Sequence, residues 1–317
     1  MAEKDPAQKF EAAYLDTYRR GLLQDKIEKA FQILESCTVC PRRCNINRLK
    51  GEKGVCEAGL EPTVSSYSPH FGEESPLVGR HGSGTIFLAH CNLRCSFCQN
   101  YSISHLGEGQ KVSYKRLAGM MVELQNLGCH NINFVSPSHY VPQILKSLPP
   151  AIEAGLSVPL VYNTGGYDAL ETLRLLEGII DIYMPDFKFS LSEPAEEFCH
   201  APDYPQAAKT AIKEMHRQVG DLVLDERGIA LRGLLVRHLV LPGGPAGTED
   251  VMRFLALNIS KKTYVNIMDQ YHPCGDVAWS SLLGRRITAR EFEDAVDAAQ
   301  REGLTRLDQR HRFRIIF

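Results

Sequence analysis

The sequence predicts an α/β fold: a partial (β/α)6 TIM-like barrel with an N-terminal helical and cysteine-rich extension. Three observations predict it. Short apolar runs alternate with amphipathic segments from residue 84 onward, the pattern of βα units on a parallel sheet. Six such runs occur, two short of a closed eightfold barrel. Seven of the ten cysteines fall between Cys37 and Cys98, ahead of or just after the first run.

Residues 10–36 carry Phe10, Tyr14, Tyr18, Leu22, Ile27, Phe31 and Leu34 at helical spacing, so one or two amphipathic helices are expected there, within an N-terminal helical segment 1–36. A cysteine-rich module follows over 37–80, its Gly/Pro/Ser-rich second half predicting little periodic structure. The barrel then spans 81–317. Its strands are expected at 84–90, 131–136, 158–163, 180–185, 234–241 and 263–269, and its helices at about 113–128, 140–155, 167–177, 204–218, 249–259 and 288–302. Residues 220–233 have strand-like runs on either side of Glu226-Arg227-Gly228 and predict an inserted hairpin.

Composition narrows the function classes. At 317 residues, 44% hydrophobic and 23% charged, the chain has the make-up of a soluble globular protein. Lys and Arg number 36 against 38 Asp and Glu, without the basic excess of a general nucleic-acid binder. The first 34 residues mix charges throughout and hold no apolar stretch of signal-peptide or membrane-span length, so a cytoplasmic location and no membrane association are expected. In that setting clustered CxxC-type spacings favour metal binding over disulfides.

Two cysteine groups carry the chemistry. Cys91-Asn-Leu-Arg-Cys95-Ser-Phe-Cys98 follows the first barrel strand, at the end where barrels place their active sites. Three thiolates suit a [4Fe-4S] cluster with one iron left open to an outside ligand. A zinc knuckle would use the same thiolates with His90 or His105 as the fourth ligand, but would explain neither the barrel periodicity nor the segments below. The second group, Cys37, Cys40, Cys44 and Cys56 in C-x2-C-x3-C-x11-C spacing, closes a site unaided and fits an auxiliary iron–sulfur cluster or zinc equally on spacing. Arg42, Arg43 and Arg48 lie among these cysteines, where solvated surface arginines are the default and neutralisation of an anionic cluster or docking of an acidic partner the alternatives. Cys129 reads as a small buried residue, and Cys199 and Cys274 carry no assignment.

The CNLRCSFC loop resembles the CxxxCxΦC signature of radical S-adenosylmethionine enzymes, with Phe97 at the aromatic position. Within that superfamily residues 84–275 resemble the pyruvate formate-lyase activating enzyme group. Cys98-Gln99-Asn100 is similar to its Cys-His-Asn, Tyr162-Asn163-Thr164-Gly165-Gly166 to its Asp-Thr-Asn-Gly, and Pro185-Asp186-Phe187-Lys188 to its Asp-Leu-Lys. Leu239-Val240-Leu241-Pro242-Gly243 is similar to the group's Val-Val-Pro-Gly, and Asp269-Gln270-Tyr271-His272 to its Leu-Pro-Tyr-His. The group's Gly-Gly-Glu is replaced by Val135-Ser136-Pro137-Ser138-His139-Tyr140, where Ser136 and Ser138 offer backbone and hydroxyl contacts and His139 is an acid/base or a plain helix-start residue.

The resemblance implies Cys91, Cys95 and Cys98 as ligands of a [4Fe-4S] cluster whose open iron chelates S-adenosyl-L-methionine. Reductive cleavage would then give methionine and a 5′-deoxyadenosyl radical that abstracts hydrogen. It also implies contacts to S-adenosylmethionine from Asp186, Lys188 and His272, a flavodoxin or ferredoxin-type electron donor, and a protein or peptide substrate as in the glycyl-radical activases. Independently, Asn163 and Thr164 can bond ribose hydroxyls and Lys188 can pair with a carboxylate. Radical modification of a small molecule is the second expectation, and a non-catalytic iron–sulfur protein the third.

Overall fold

A computed structural model describes residues 10–279 and 281–308. The outer ends of the expected segments 1–36 and 81–317 lie outside the described residues.

Nine strands are described: β1 (Thr63–His70), β2 (Ser83–Leu88), β3 (Gln110–Lys111), β4 (Ile132–Val135), β5 (Leu160–Thr164), β6 (Ile182–Pro185), β7 (Val223–Leu224), β8 (Ala230–Leu239) and β9 (Tyr264–Met268). The six apolar runs correspond to β2, β4, β5, β6, β8 and β9. These pair in parallel in chain order, in registers such as Phe87↔Val135, Val135↔Asn163, Asn163↔Met184 and Leu239↔Met268. That register brings residues 88–91, 135–136, 163–165, 185–188, 239 and 268–270 out at one rim.

Helices Tyr114–Asn126, Val141–Glu153, Leu170–Leu175, Tyr204–Val219, Thr248–Asn258 and Ala289–Arg301 follow the six strands. Their starts obey local chemistry: Ser113 accepts from Arg116 N–H, and Thr288 with Glu291 forms a capping box. The hairpin is present as β7 against β8, Val223↔Arg232.

Two departures from the sequence reading have physical causes. Residues 63–70 form a full strand, β1, antiparallel to β2, inside the module expected to lack periodic structure. Its TVSSYSPH sequence buries only Thr63 and Val64, so no apolar alternation marked it. Helix Ser192–Cys199 was likewise not expected; it buries only Ala195, Phe198 and Cys199.

The N-terminal helices Ala13–Arg19 and Leu22–Gln32 belong to the same core as the sheet, through Tyr14, Leu23, Ile27 and Ala30. Ala13 N–H donates to Asp181 Oδ1 at 2.9 Å, tying this end to the start of β6. The cysteine-rich segment has a small core of its own around Leu34, Cys37 and Val39. Among the described residues no helix is long and apolar enough to cross a membrane.

Candidate functional site

The cysteine loop leaves the C-terminal end of β2 and is held by its apolar residues. Leu93 and Phe97 are buried, and the Phe97 ring packs edge-on against Phe189, Phe198 and Tyr271. His90 and Arg94 take positive φ values of 70° and 55°, which curl the backbone so that the three thiols face one cavity. The aromatic position of the loop is therefore its anchor.

Each thiol has a polar neighbour. Leu93 N–H donates to Cys91 Sγ at 3.4 Å, the Ser104 hydroxyl to Cys98 Sγ at 3.2 Å, and the Cys199 S–H to Cys95 Sγ at 3.2 Å. Burial pushes the Cys91 thiol up to about 12 and that of Cys98 upward. Cys95, sharing a proton with Cys199 and buried, is held well above the ordinary thiol range. Buried thiols of this kind ionise when a metal replaces the proton.

The cavity beyond them measures ≈330 Å3 and reaches the ends of all six parallel strands. Its far wall is ionic. Asp186 lies 2.5 Å from Lys188 Nζ and 2.7 Å from Arg237 Nε, while Arg237 also donates to Asn163 Oδ1 at 2.8 Å. Glu73 and Glu74 stand 4.0 Å from Arg237. Burial opposes every one of these charges. Arg237 and Lys188 outweigh it and hold the Asp186 carboxyl below its usual range; Asp186 in turn raises Lys188 and Arg237. For Glu74 burial prevails, and its pKa is raised.

Five of the six expected cofactor contacts line this cavity: Ser136, Asn163, Thr164, Asp186 and Lys188. Ser136 has a positive φ of 57° and its N–H donates to the Asn163 carbonyl. The Thr164 hydroxyl is spent inside the protein, donating to Asp168 at 2.7 Å and accepting from Gly166 N–H. His272 is the exception. It is half-buried outside the lining, Nδ1 lying 3.4 Å from the Gln270 carbonyl, and Gln270 is the residue that reaches the cavity from this strand end.

Gly166 shows why the glycine pair stands where it does. Its φ is +79°, and a Cβ there would lie 2.1 Å from the Asp186 carbonyl oxygen. The Tyr204 hydroxyl, 3.0 Å from the carbonyls of Gly165 and Asp186, accepts from Lys188 N–H and joins the two strand ends.

His139 is not exposed to the cavity. It is buried, its Nε2 bonds the Ala89 carbonyl at 3.0 Å, and burial lowers its pKa to about 3, so it is a neutral structural residue. Sequence reasoning missed Arg237, Glu73, Gln270 and Cys199. Arg237 sits inside the apolar run LLVRHLVL, and Cys199 lies 104 residues from its partner. Cys129 is buried as expected, and Cys274 bonds the Phe97 carbonyl at 3.3 Å, behind the loop.

Cys37, Cys40, Cys44 and Cys56 line a second, smaller cavity. Backbone N–H groups of Arg42 and Ala58 meet Cys40 and Cys56, and burial pushes Cys40 up to about 12. Arg42 is no surface arginine: it donates to the carbonyls of Asn92, Leu93, Cys199 and His200. Arg48, 1% exposed, donates to His139 and Gly59 carbonyls. Only Arg43 behaves as expected, pairing with exposed Glu171.

Fold and site together define an α/β protein with a three-thiol loop opening into an ionic cavity at the C-terminal ends of its parallel strands. The chain is 31% identical over 304 residues to "Uncharacterized protein MJ0674" of Methanocaldococcus jannaschii, a match covering 93% of this chain and 83% of that one, and it belongs to the same family as that protein. No family model matches the sequence. A radical SAM methyltransferase from Sphaerobacter thermophilus superposes with a TM-score of 0.48 at 12% identity, covering 69% of this chain. The chain spans 64% of that structure's length, less than two thirds.

Proposed function

We propose that the chain is a radical S-adenosylmethionine enzyme with a partial (β/α)6 barrel. In this reading Cys91, Cys95 and Cys98 hold a [4Fe-4S] cluster, and S-adenosylmethionine occupies the adjoining cavity. The observation that carries it is the meeting of three thiols, Cys95 buried and Cys91 and Cys98 half-buried, and the Asp186–Lys188–Arg237 wall in one cavity. When bound, the cluster and S-adenosylmethionine supply one-electron cleavage of the sulfonium and a hydrogen-abstracting 5′-deoxyadenosyl radical.

The chain's own residues bind, orient and exclude water. Lys188 and Arg237 offer cationic charge for a carboxylate, with Asp186 fixing both. Asn163 and Ser136 present polar groups at adjacent strand ends, and Leu88, Phe97 and Leu239 supply apolar lining. A cavity of ≈330 Å3 is near the small end of ligand pockets. It admits one nucleoside-sized cofactor, which supports a substrate reaching in from outside, as a protein or peptide segment does. An activase-like hydrogen abstraction fed by a flavodoxin or ferredoxin-type donor follows from that reading.

The test is anaerobic reconstitution with iron and sulfide, then dithionite and S-adenosylmethionine. 5′-Deoxyadenosine and methionine are expected, and Cys91→Ala should form neither. Cluster-bearing wild-type protein that forms no 5′-deoxyadenosine sinks the reading.

A further inference from the structure

We propose that Cys37, Cys40, Cys44 and Cys56 hold a second, multi-iron iron–sulfur cluster, with Arg48 as hydrogen-bond donor to it, rather than a single zinc ion. All four side chains line one cavity with Arg42, Arg48 and His139. Its size is informative. The cavity measures ≈10 Å3, room for the centre of a water-sized sphere. Such a sphere stays about 3 Å from a sulfur centre. A zinc ion would sit about 2.3 Å from each sulfur, closer than such a sphere can come.

One buried donor at the same cavity needs a partner. Arg48 Nε has no hydrogen-bond partner among the described residues, although the rest of its guanidinium is committed to the His139 and Gly59 carbonyls. A buried donor left unmatched costs stability. An iron–sulfur core is anionic and presents sulfide acceptors between its thiolates, which answers the Arg48 N–H. Zinc held by four cysteines offers no acceptor beyond the thiolates themselves.

The site is also built against the first. Arg42, between Cys40 and Cys44, donates to Asn92 and Leu93 in the Cys91–Cys98 loop; Arg94 of that loop donates to Val55, next to Cys56, at 3.4 Å. His139 touches both, lining the second cavity and bonding Ala89 two residues before Cys91. A centre that only folded its own segment would need none of these links.

The deciding protein is the full chain with Cys91→Ser, Cys95→Ser and Cys98→Ser, which removes the first site whatever its function. After anaerobic reconstitution it should retain about four irons and four sulfides per chain. Dithionite should then give the electron paramagnetic resonance of a reduced cubane, and native mass spectrometry the mass of an Fe4S4 core. Stoichiometric zinc without iron, or no metal in folded protein, overturns the proposal. Should that variant not fold by circular dichroism, the Cys40→Ser, Cys56→Ser chain decides. Losing half of the wild-type iron supports the proposal, and unchanged iron with lost zinc overturns it. Neither readout uses S-adenosylmethionine cleavage, so failure here is separable from failure of the proposed function.

Discussion

Asp186→Asn isolates the ionic wall of the cavity. The substitution keeps shape but removes the one anion shared by two half-buried cations. Arg237 retains Glu73 and Glu74 at 4.0 Å and the Asn163 carbonyl oxygen, whereas Lys188 has no other salt-bridge partner among the described residues. One cation is thus stranded rather than two. The cost belongs at the lower end of the 3–5 kcal/mol for breaking a buried pair, so about 3 kcal/mol. At about 2 °C per kcal/mol for a chain of this size, thermal unfolding should start roughly 6 °C lower. Adding Lys188→Met should restore most of the loss. Because the Asp186 pKa is lowered in the folded state, its contribution is complete above the unfolded value of about 3.9 and vanishes as pH falls through the folded one. Wild type and variant should therefore differ fully above about pH 4, the unfolded value, and draw together as pH falls below it. Circular dichroism melts across that range, with urea midpoints as a check, provide the assay. Equal midpoints at pH 7, or a Lys188→Met addition that worsens the loss, would refute the description of a closed ionic triad.

Four other perturbations follow. Gly166→Ala should destabilise by several kcal/mol or prevent folding, since positive φ and a backbone oxygen 2.1 Å away act together; an unchanged urea midpoint would contradict the turn geometry. Cys199→Ala removes the S–H beside Cys95 and should lower the midpoint potential of the cluster proposed on Cys91, Cys95 and Cys98 in a dye-mediated titration, because hydrogen bonds to sulfur favour the reduced state; an unchanged potential would show that the contact is lost on loading. Arg48→Met should likewise lower the potential of the second centre at unchanged iron content, unless the guanidinium does not meet it. His238, buried between the Phe187 carbonyl and Thr248, has its pKa lowered by burial to about 4. Its contribution is present above the unfolded value of about 6.5, and about 3 kcal/mol should be lost as pH falls from there to 4. A His238→Gln variant whose urea midpoint keeps the wild-type slope over that window would remove His238 as the cause.

Much of this architecture was legible because parallel strands buried on both faces read as continuous apolar runs. GTIFLAH, NINFVS and IDIYMP all fall on observed strands for that reason. The cysteine loop was legible through spacing. What escaped was whatever depends on long-range contact. Arg237 reads as a flaw in a core strand until Asp186 and Asn163 are seen beside it. β1 has too few buried side chains to show a period. Thr164 looked like a ligand group because the sequence does not reveal that Asp168, four residues on, takes its hydroxyl. Arg42 and Arg48 illustrate the converse: charged residues are usually solvated, and only the fold shows these two turned inward onto backbone carbonyls.

The grip of Arg42 on both the loop and residues 199–200 also sets a clock on biosynthesis. Seven thiols leave the ribosome between Cys37 and Cys98, but the carbonyls of Cys199 and His200 that complete the Arg42 clasp, and the thiol that meets Cys95, come 104 or 105 residues after Cys95. At about 5–20 residues per second, the loop waits on the order of 5–20 s in a partly assembled state. Cells making this protein in air would expose those sulfurs to oxidant during every round of translation, so the yield of protein carrying the proposed centres should depend on oxygen more steeply than the stability of the finished molecule does.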